Sequence, residues 1–502
     1  MERRVVFFLV FFLPVVLSAQ ELVMLTLSDQ AQTTISRHIY GQFAEHLGRS
    51  IYDGFYRNGR IRMDIVEALK KIQVPNLRWP GGCFADQYHW RNGIGEPDKR
   101  PSSVNTTWGM VTEDNHFGTA EFLELCRLIG CEPYIAGNVG TGSPEEMKDW
   151  IEYLSFGGNS SLADLRRSNG HPDPYRISLW GVGNESWGCG GNMTPEHYAD
   201  LFKQYAAFCP DYPGTRLKKI ASGANGDDYH WTEVLMKNIP AYEMYGISLH
   251  YYTFPTGHWK PRGSATDFTE AEYAHTVKQA LQIETVIENH EAIMDKYDPQ
   301  KLVALLADEW GVWTDVEAGT PAYAMYQQNS LRDALVAAST LNIFNNHADR
   351  VKGANLAQTV NVIQSLILTR GDSMVLTPTY FVFDLYKVHQ DAKRISVQFR
   401  SPLYVNGKDT VPALNISASR DSAGSTHISF VNLDPGKSCN IRIPLYSENV
   451  NGKILTSSKL TDINSFDKKD KISIQPFNGF KRNGREVDIL LPAKSVVMLE
   501  FK

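Results

Sequence analysis

The sequence predicts two domains, an α/β domain of the (β/α)8 barrel type followed by an all-β sandwich. From Arg37 to about Val388, eight short apolar segments alternate with amphipathic helical patterns, as expected when each parallel strand is followed by a helix. After about Lys393 the pattern changes to short strands of alternating polarity, separated by Gly, Asn, Asp and Pro turns, which is typical of a sandwich. With 502 residues the chain is long enough for two cores.

Several of the eight apolar segments are rich in branched and aromatic residues and lack polar alternation, as expected for strands buried on both faces. In chain order they are Ile39–Glu45, Pro75–Pro80, Glu132–Gly140, Ile177–Glu185, Lys219–Gly223, Gly246–Tyr252, Leu302–Gly311 and Gly353–Gln364. The predicted barrel spans residues 37–390 and the sandwich 391–502. The strand-like segment 20–36 is predicted to join the sandwich.

The segments between the strands have helical patterns. Met63–Ile72 places its apolar residues on one face. Ser143-Pro144-Glu145-Glu146 predicts a capping box with Pro at the first helical position, and Thr194-Pro195 predicts another helix start. Tyr273–Tyr297 and Ser330–Asn345 are longer helical patterns.

The N-terminus has the composition of a signal peptide. Arg3 and Arg4 precede an unbroken apolar run of 13 residues, and Ala19 offers a cleavage site. The run is short for a membrane-spanning helix, although an uncleaved anchor is the alternative. The sequence therefore predicts removal of residues 1–19, an exported protein that is periplasmic or secreted, and no membrane partner after cleavage.

Charge and cysteine content exclude several classes of partner. The net charge is −6 and no block of Lys and Arg occurs, so no nucleic-acid partner is expected. The six cysteines are scattered without a CxxC pair, which indicates neither a disulfide framework nor a zinc site. Export would permit a disulfide, but the spacing does not demand one. These cysteines are Cys83, Cys126, Cys131, Cys189, Cys209 and Cys439.

Polar residues collect at the carboxyl ends of the apolar segments. Because these ends meet at one face of a barrel, where barrel enzymes hold their active sites, we expect the side chains to lie close together. They are Glu45, His46, Arg78, Cys83, Asn138, Asn184, Glu185, His250, Tyr252, Asp308, Glu309, Gln358 and Asn361.

Two of these residues, Glu185 and Glu309, indicate chemistry at a glycosidic bond. One carboxyl can protonate the leaving oxygen while the other attacks the oxocarbenium-like sugar, with retention when the two groups are about 5–5.5 Å apart. The charge of a neighbouring carboxylate raises the pKa of the acid and keeps it neutral. Asn184 can hydrogen-bond the sugar 2-hydroxyl. Trp313, four residues past Glu309, is predicted to line the pocket. These residues predict a retaining glycosidase but do not identify the sugar.

Other interpretations of the same residues remain open. Arg78 could offset the buried carboxylates, which would make the cluster a structural ion-pair network. His46, His250 and Asp308 could suggest a metal site, but no HxH or HExxH spacing occurs, so no metal is predicted. The functional alternatives are an endo-acting β-glucanase or xylanase on a similar barrel and a carbohydrate-binding protein without turnover. The latter would need one essential carboxylate to be missing or displaced.

Six segments together resemble the α-L-arabinofuranosidases of glycoside hydrolase family fifty-one. They are "IYGQFAEHLG", "NLRWPGGCFADQYHWRNGIG", "WGVGNESWGCGG", "SLHYYT", "ADEWGVW" and "GANLAQTVNVIQ", and the match runs in order from about Glu21 to the C-terminus. The resemblance implies a TIM barrel with a jelly-roll sandwich, no cofactor, and often a hexamer. It also implies release of terminal non-reducing α-L-arabinofuranosyl groups, with retention, from arabinose-containing oligo- or polysaccharides.

The resemblance also implies roles for individual residues. Glu185 matches the acid/base and Glu309 the nucleophile. Arg78 and His250 match the residues that support the nucleophile. Cys83 follows a Pro-Gly-Gly turn where some relatives have Asn, so its contact with the sugar is left open. The residues expected to hold or line the substrate are Glu45, Cys83, Asn184, Tyr252, Trp313 and Gln358.

Overall fold

A computed structural model describes residues 22–28, 33–445, 447 and 449–502. Eight parallel strands close into a barrel in which each strand pairs with its neighbours in the sequence. The predicted fold class, a (β/α)8 barrel with a C-terminal all-β domain, is confirmed. The barrel strands are Gly41–Phe43, Asn76–Trp79, Glu132–Gly137, Leu179–Val182, Lys218–Asn225, Gly246–Thr253, Ala304–Val312 and Val351–Leu356. The predicted signal peptide, residues 1–19, lies outside the described residues.

Helices surround the barrel, and two of them begin directly after the caps predicted at Ser143 and Thr194. Ser143 accepts a hydrogen bond from the Glu146 amide at 3.1 Å, but the Glu146 carboxylate contacts His89 instead of closing the predicted box. Full capping boxes form at Ser330 with Asp333 and at Thr269 with Glu272. Among the described residues the α-helices are α1 (Met63–Lys71), α2 (Thr119–Ile129), α3 (Pro144–Ser155), α4 (Ser161–Ser168), α5 (Pro195–Ala207), α6 (Tyr229–Asn238), α7 (Glu270–Tyr297), α8 (Leu331–Asn346) and α9 (Pro378–Tyr386).

Short 3₁₀ helices and hairpins lie in the loops of the barrel and at its junction with the sandwich. The 3₁₀ helices are Arg37–Tyr40, Cys83–Gln87, Trp90–Gly93, Pro97–Lys99, Ala322–Ala324 and Lys387–His389. Antiparallel hairpins pair Tyr56–Arg57 with Arg60–Ile61, Ser103–Asn105 with Val111–Glu113, Ile367–Arg370 with Ser373–Leu376, and Leu403–Asn406 with Asp409–Pro412. Within the described part of the chain, no helix is both long and apolar enough to cross a membrane.

The C-terminal domain consists of two sheets that pack face to face around one apolar cluster. The six-stranded sheet contains, in spatial order, Lys393–Ile395, Leu414–Arg420, Thr426–Asn432, Ser495–Phe501, Val450–Thr456 and Gln475–Pro476. The four-stranded sheet contains Leu22–Met24, Cys439–Ile443, Glu486–Leu491 and Phe480–Asn483. The sequence pattern did not indicate Val450–Thr456, because Asn451 and Gly452 interrupt its apolar residues.

The N-terminal segment is part of this sandwich. Leu22–Met24 runs parallel to Cys439–Ile443, and Thr26–Leu27 pairs antiparallel with Val397–Gln398. The chain therefore begins its described course on the sandwich and then enters the barrel.

Helix α8 fixes the barrel against the sandwich. It is buried along almost its whole length because the barrel lies on one side and the six-stranded sheet on the other. Its Asn342 side-chain oxygen accepts hydrogen bonds from the hydroxyls of Ser417 and Ser429, at 2.8 and 2.7 Å. Nearby, the Tyr273 hydroxyl donates to the Leu433 carbonyl at 2.7 Å. Satisfied buried polar groups of this kind specify one docking geometry.

Candidate active site

The carboxyl ends of the barrel strands bring together most of the residues predicted from the sequence. The barrel is filled lower down by a cluster of side chains from four strands, which are Tyr134, Leu179, Ile220, Ala304 and Leu306. Above this layer the interior becomes polar. The residues that meet there directly are Glu45, Arg78, Asn184, Glu185, His250, Tyr252, Glu309 and Gln358.

Glu309 is anchored on both of its carboxylate oxygens. Arg78 donates to Oε1 at 2.8 Å, and the Tyr252 hydroxyl donates to Oε2, also at 2.8 Å. Burial opposes the charge of Arg78, but Asp308 and Glu309 outweigh that effect and raise the pKa of Arg78. Burial and the charge of Glu309 raise the pKa of Tyr252 well above its ordinary value, so its hydroxyl remains a donor. These two donors thus hold the Glu309 carboxyl group in one orientation.

A bulge in the seventh strand explains why two consecutive acidic residues both face the site. Ser248 pairs with Leu306 and His250 pairs with Glu309, so the seventh strand has one extra residue between these positions. Alternation along a regular strand would place Asp308 and Glu309 on opposite faces, whereas a bulge re-aims a side chain. Asp308 accepts a hydrogen bond from the Tyr134 hydroxyl at 2.7 Å and lies 3.5 Å from Arg78 Nε.

His250 lies between the two glutamates. Its Nδ1 is 2.8 Å from Glu185 Oε1 and 3.5 Å from Glu309 Oε2, and its Nε2 is 3.1 Å from Asp308 Oδ1. Burial alone would lower the pKa of His250, but these three carboxylates raise it to about 10. The imidazole is therefore charged at neutral pH, and it offsets part of the negative charge that the site concentrates.

Glu185 lies in a tight turn beyond the end of the fourth strand. Gly183 and Glu185 both have left-handed backbone conformations, with φ of 83° and 41°. A non-glycine residue in this region is strained, and such strain is concentrated at functional sites. Burial, assisted by the charge of Glu309, raises the pKa of Glu185 above its ordinary value, although His250 opposes the shift. Glu185 is therefore suited to hold a proton at a pH where ordinary carboxyls are ionised.

A disulfide bond, which the cysteine spacing neither predicted nor excluded, lies beside Glu185. Cys83 and Cys189 are bonded, with 5.5 Å between their Cα atoms. The Cys189 and Cys83 sulfurs lie 3.3 and 3.7 Å from Glu185 Oε2. Cys83 thus reaches the site as predicted, but as a bridged sulfur that has no hydrogen to donate. The structure, unlike the spacing of the cysteines, specifies this pairing because it brings together two loops that are 106 residues apart.

Glu45 lies two residues beyond the end of the first strand and is buried. It accepts hydrogen bonds from the Phe84 amide and the Trp108 indole at Oε1, and from the Gln358 side chain at Oε2. Burial, followed by the charge of Glu309, raises the pKa of Glu45 to about 7. A Cβ on Gly82 would lie 2.9 Å from both carboxylate oxygens, so a larger residue there would displace the Glu45 carboxyl group.

Aromatic side chains form one wall of the site. Trp313 packs edge-on against Tyr252, with 5.0 Å between ring centroids, and against the half-exposed Trp259 at 4.9 Å. The guanidinium of Arg262 lies 4.3 Å from the centroids of both tryptophans. Trp313 therefore lies beside Tyr252 at the edge of the site, and its role in lining the pocket stays a prediction. Trp108 and Trp259 were not predicted because they come from insertions rather than from strand ends.

Other polar residues from the strand ends support loops instead of facing the site. His46 contacts Glu113 at 3.1 Å and accepts from the Trp79 indole. Asn138 accepts from two backbone amides of the turn that follows it. Asn361 donates to the Arg49 carbonyl. Their positions in the sequence do not distinguish them from the residues that face the pocket.

Asp86 is a buried support that its position in the sequence does not indicate. Its carboxylate accepts from the backbone amides of Val139, Gly140 and Asn184, at 2.8, 2.8 and 2.9 Å. Burial raises the pKa of Asp86 to about 7, although these three donors oppose the shift. Asp86 thereby ties the third and fourth strand ends together and orients Asn184, whose side-chain oxygen accepts from Arg78.

Among the described residues, two groups of side chains could hold a metal ion, because the potential ligand atoms within each group lie within 4.8 Å of one another. One consists of Glu185, His250 and Glu309, and the other of Cys83, Glu185 and Cys189. In the first group the charged His250 imidazole contacts both carboxylates. In the second the two sulfurs are bonded to each other, so neither is present as the thiolate that metals require.

Comparison with known proteins identifies the family of this chain. The family model of the α-L-arabinofuranosidase 1 domain matches residues 68–262, and that of the α-L-arabinofuranosidase C-terminal domain matches residues 308–495. An intracellular exo-α-L-arabinofuranosidase from Bacteroides ovatus is 49% identical over 499 residues, which is 97% of each chain. The chain belongs to the α-L-arabinofuranosidases of glycoside hydrolase family 51.

Solved structures of family 51 enzymes agree with this assignment. The arabinofuranosidase from Xanthomonas axonopodis pv. citri is 47% identical and superposes with a TM-score of 0.94, covering 96% of this chain and 100% of that chain. The α-L-arabinofuranosidase from Thermotoga maritima, solved as an arabinose complex, is 30% identical with a TM-score of 0.81, covering 95% and 99%. The family predicted from the sequence motifs is confirmed, and the chain is a glycosidase.

The predicted periplasmic or secreted location is wrong. The Bacteroides ovatus relative, which matches this chain over 97% of its length, is an intracellular enzyme by name. The prediction depended on two arginines and a short apolar run within residues 1–19, which lie outside the described residues. A composition of this kind resembles a signal peptide but does not by itself identify a compartment.

Proposed function

We propose that this family 51 chain is an exo-acting α-L-arabinofuranosidase that retains the anomeric configuration, with Glu309 as nucleophile and Glu185 as acid/base. One observation carries the retaining mechanism. A carboxylate oxygen of Glu185 and one of Glu309 lie within 4.8 Å of each other and of His250. Retaining glycosidases hold their carboxyl groups about 5–5.5 Å apart, whereas inverting enzymes leave about 6.5–9.5 Å for a water molecule.

The contacts of Glu309 support its role as the nucleophile. Arg78 and Tyr252 each donate to one of its oxygens, which fixes the direction of the carboxylate. In the first step Glu309 attacks the anomeric carbon of the arabinofuranosyl group. The bond to the leaving oxygen breaks at the same time, and a glycosyl–enzyme ester forms.

The environment of Glu185 supports its role as acid and then as base. Its raised pKa, caused by burial and by the charge of Glu309, favours the protonated form that donates to the leaving oxygen. Esterification then removes the charge of Glu309, so the pKa of Glu185 falls. Glu185 can next take a proton from the water that hydrolyses the ester.

Five further residues support recognition of a single terminal sugar. Glu45 and Gln358 present a carboxylate and a buried carbonyl oxygen, Gln358 Oε1, that has no partner among the described residues. Asn184 suits the 2-hydroxyl next to the reacting carbon. Tyr252 and Trp313 supply an aromatic wall. We propose that these residues bind arabinose, with terminal arabinofuranosyl groups on oligo- or polysaccharides as substrates.

Two measurements test this function. The configuration of the first-formed arabinose, followed by NMR, should be retained, and inversion would refute the mechanism. The enzyme should release only free arabinose from arabinoxylan or branched arabino-oligosaccharides. Shortening of unsubstituted xylan or glucan chains would instead support the endo-acting alternative.

A further inference from the structure

The Cys83–Cys189 disulfide joins the loops that carry and face the acid/base. Cys83 begins the 3₁₀ helix after the second strand, and Cys189 lies four residues beyond Glu185 in the turn after the fourth. The amides of Gly188 and Gly190, on either side of Cys189, donate to the Glu185 carbonyl at 2.7 and 3.0 Å. The disulfide therefore closes the same turn that holds the backbone of Glu185.

The two oxygens of Glu185 have different neighbours. Oε1 contacts the charged His250, which is itself held by Asp308. In the described part of the chain, Oε2 faces the two sulfurs at 3.3 and 3.7 Å and meets no N–H or O–H donor. A bridged sulfur has no hydrogen, so the disulfide limits the position of Oε2 without competing for the proton that the acid must transfer.

We propose that Cys189, through its bond to Cys83, is a positioning residue for Glu185, and that reduction of this bond weakens acid catalysis. The proposal rests on the acid/base role of Glu185 given above. Reduction would separate the two loops and would create two S–H groups beside Oε2. A thiol that donates to Oε2 stabilises the carboxylate and lowers the pKa of Glu185, so less of the acid is protonated at a given pH.

The disulfide is accessible to a reductant. Cys189 is exposed and Cys83 is half-buried, whereas Cys126, Cys209 and Cys439 are buried. A dithiol supplies two electrons and two protons. The S–S bond breaks, Cys83 and Cys189 each gain an S–H, and the dithiol is oxidised to its own disulfide. The reaction proceeds through a mixed disulfide, in which attack on the exposed Cys189 sulfur is favoured.

The experiment compares oxidised enzyme with enzyme treated with dithiothreitol, after thiol counting has verified each state. Four of the six cysteines should be free before reduction and all six after it. The kcat/KM is then measured on arabinofuranosides with a good aryl leaving group and with a poor alkyl or sugar leaving group, over a range of pH. Thermal melting in both states reports loss of folding separately.

Reduction should lower kcat/KM about tenfold on the poor leaving group and less than about twofold on the activated aryl substrate, since only the former needs full protonation. The alkaline limb of the pH profile should move to lower pH. The double variant Cys83→Ser/Cys189→Ser should respond no further to dithiothreitol. The matched control is Cys131→Ser, which replaces a free thiol at the opposite end of the barrel and should keep the full response.

Equal losses on both substrates with an unmoved pH limb would overturn the proposal, because they would indicate a purely structural bond. An unchanged rate after complete reduction would overturn it as well. The Glu185→Ala variant separates this failure from failure of the proposed function. If Glu185→Ala discriminates between leaving groups while reduction does not, the acid/base assignment stands and only the role of Cys189 is refuted.

Discussion

Glu309 lies within a barrel strand, whereas Glu185 lies three residues beyond the end of one. Glu309 has a strong donor on each oxygen, while Glu185 has a charged imidazole on one side and a disulfide on the other. A nucleophile acts from one position as an anion. An acid/base must hold a proton and later accept one, so its surroundings cannot fix its charge as firmly. The two supports differ because the two tasks differ.

The most severe test of this comparison is Glu309→Ala. Without the nucleophile no glycosyl–enzyme can form, so kcat should fall by about 10⁶-fold on every ordinary arabinofuranoside, the magnitude seen when a covalent nucleophile is removed. Steady-state assays on aryl and sugar leaving groups check this. A variant that kept substantial activity on either substrate would exclude Glu309 as the nucleophile.

Glu185→Ala should have a large but selective effect. Loss of general acid assistance should cost about 10²–10⁴-fold on substrates with a sugar leaving group, and less on activated aryl substrates. Glycosyl–enzyme should accumulate, which mass spectrometry can detect. Added azide needs no base, so it should restore turnover and give a product of retained configuration. Equal losses on both substrates without azide rescue would contradict the assignment of Glu185 as the acid/base.

The support of Glu309 can be tested with two adjacent tyrosines. Tyr252→Phe removes the hydroxyl that donates to Glu309 Oε2. A hydrogen bond to a charged group is worth about 1.5–3 kcal/mol, so kcat/KM should fall about 10- to 150-fold. The matched control is Tyr251→Phe, whose hydroxyl donates to the Gln279 carbonyl instead and whose loss should change activity less than about twofold. Similar losses in both variants would indicate general destabilisation, which melting curves would reveal.

The smallest expected effect is a displacement along the pH axis. Glu185 must be protonated to act as an acid, and its pKa is raised. Activity on poor leaving groups should therefore persist above the pH at which ordinary glutamates ionise, and it should fall as the pH rises through the pKa of Glu185. The profile of kcat/KM should lose this alkaline limb in Glu185→Gln measured with azide.

Glu45 provides the control for this profile, because its own pKa is about 7. Glu45→Gln should raise KM by weakening the hold on the sugar, yet the alkaline limb should keep its position. A limb that disappeared in Glu45→Gln and persisted in Glu185→Gln would reverse the assignment of the titrating group.

Elements with a strong local pattern could be predicted from the sequence. The eight barrel strands, the caps at Ser143 and Thr194, and most sandwich strands follow from apolar periodicity and from turn and cap residues. Val450–Thr456 was missed because it forms a strand through pairing with Ser495–Phe501 and not through its own composition. The hairpin that carries Trp108 was also missed. It is an insertion, so the alternation of barrel strands and helices does not predict it.

At the site, the sequence by itself determined which residues the strand ends would deliver, because the carboxyl ends of parallel barrel strands must meet at one face. Only the tertiary structure decided how they are used. The bulge that turns Asp308 and Glu309 to the same side is a matter of register, Asp86 acts through three distant backbone amides, and the Cys83–Cys189 bond joins loops that are far apart in the chain. Each depends on distances between segments, which local residue patterns do not contain.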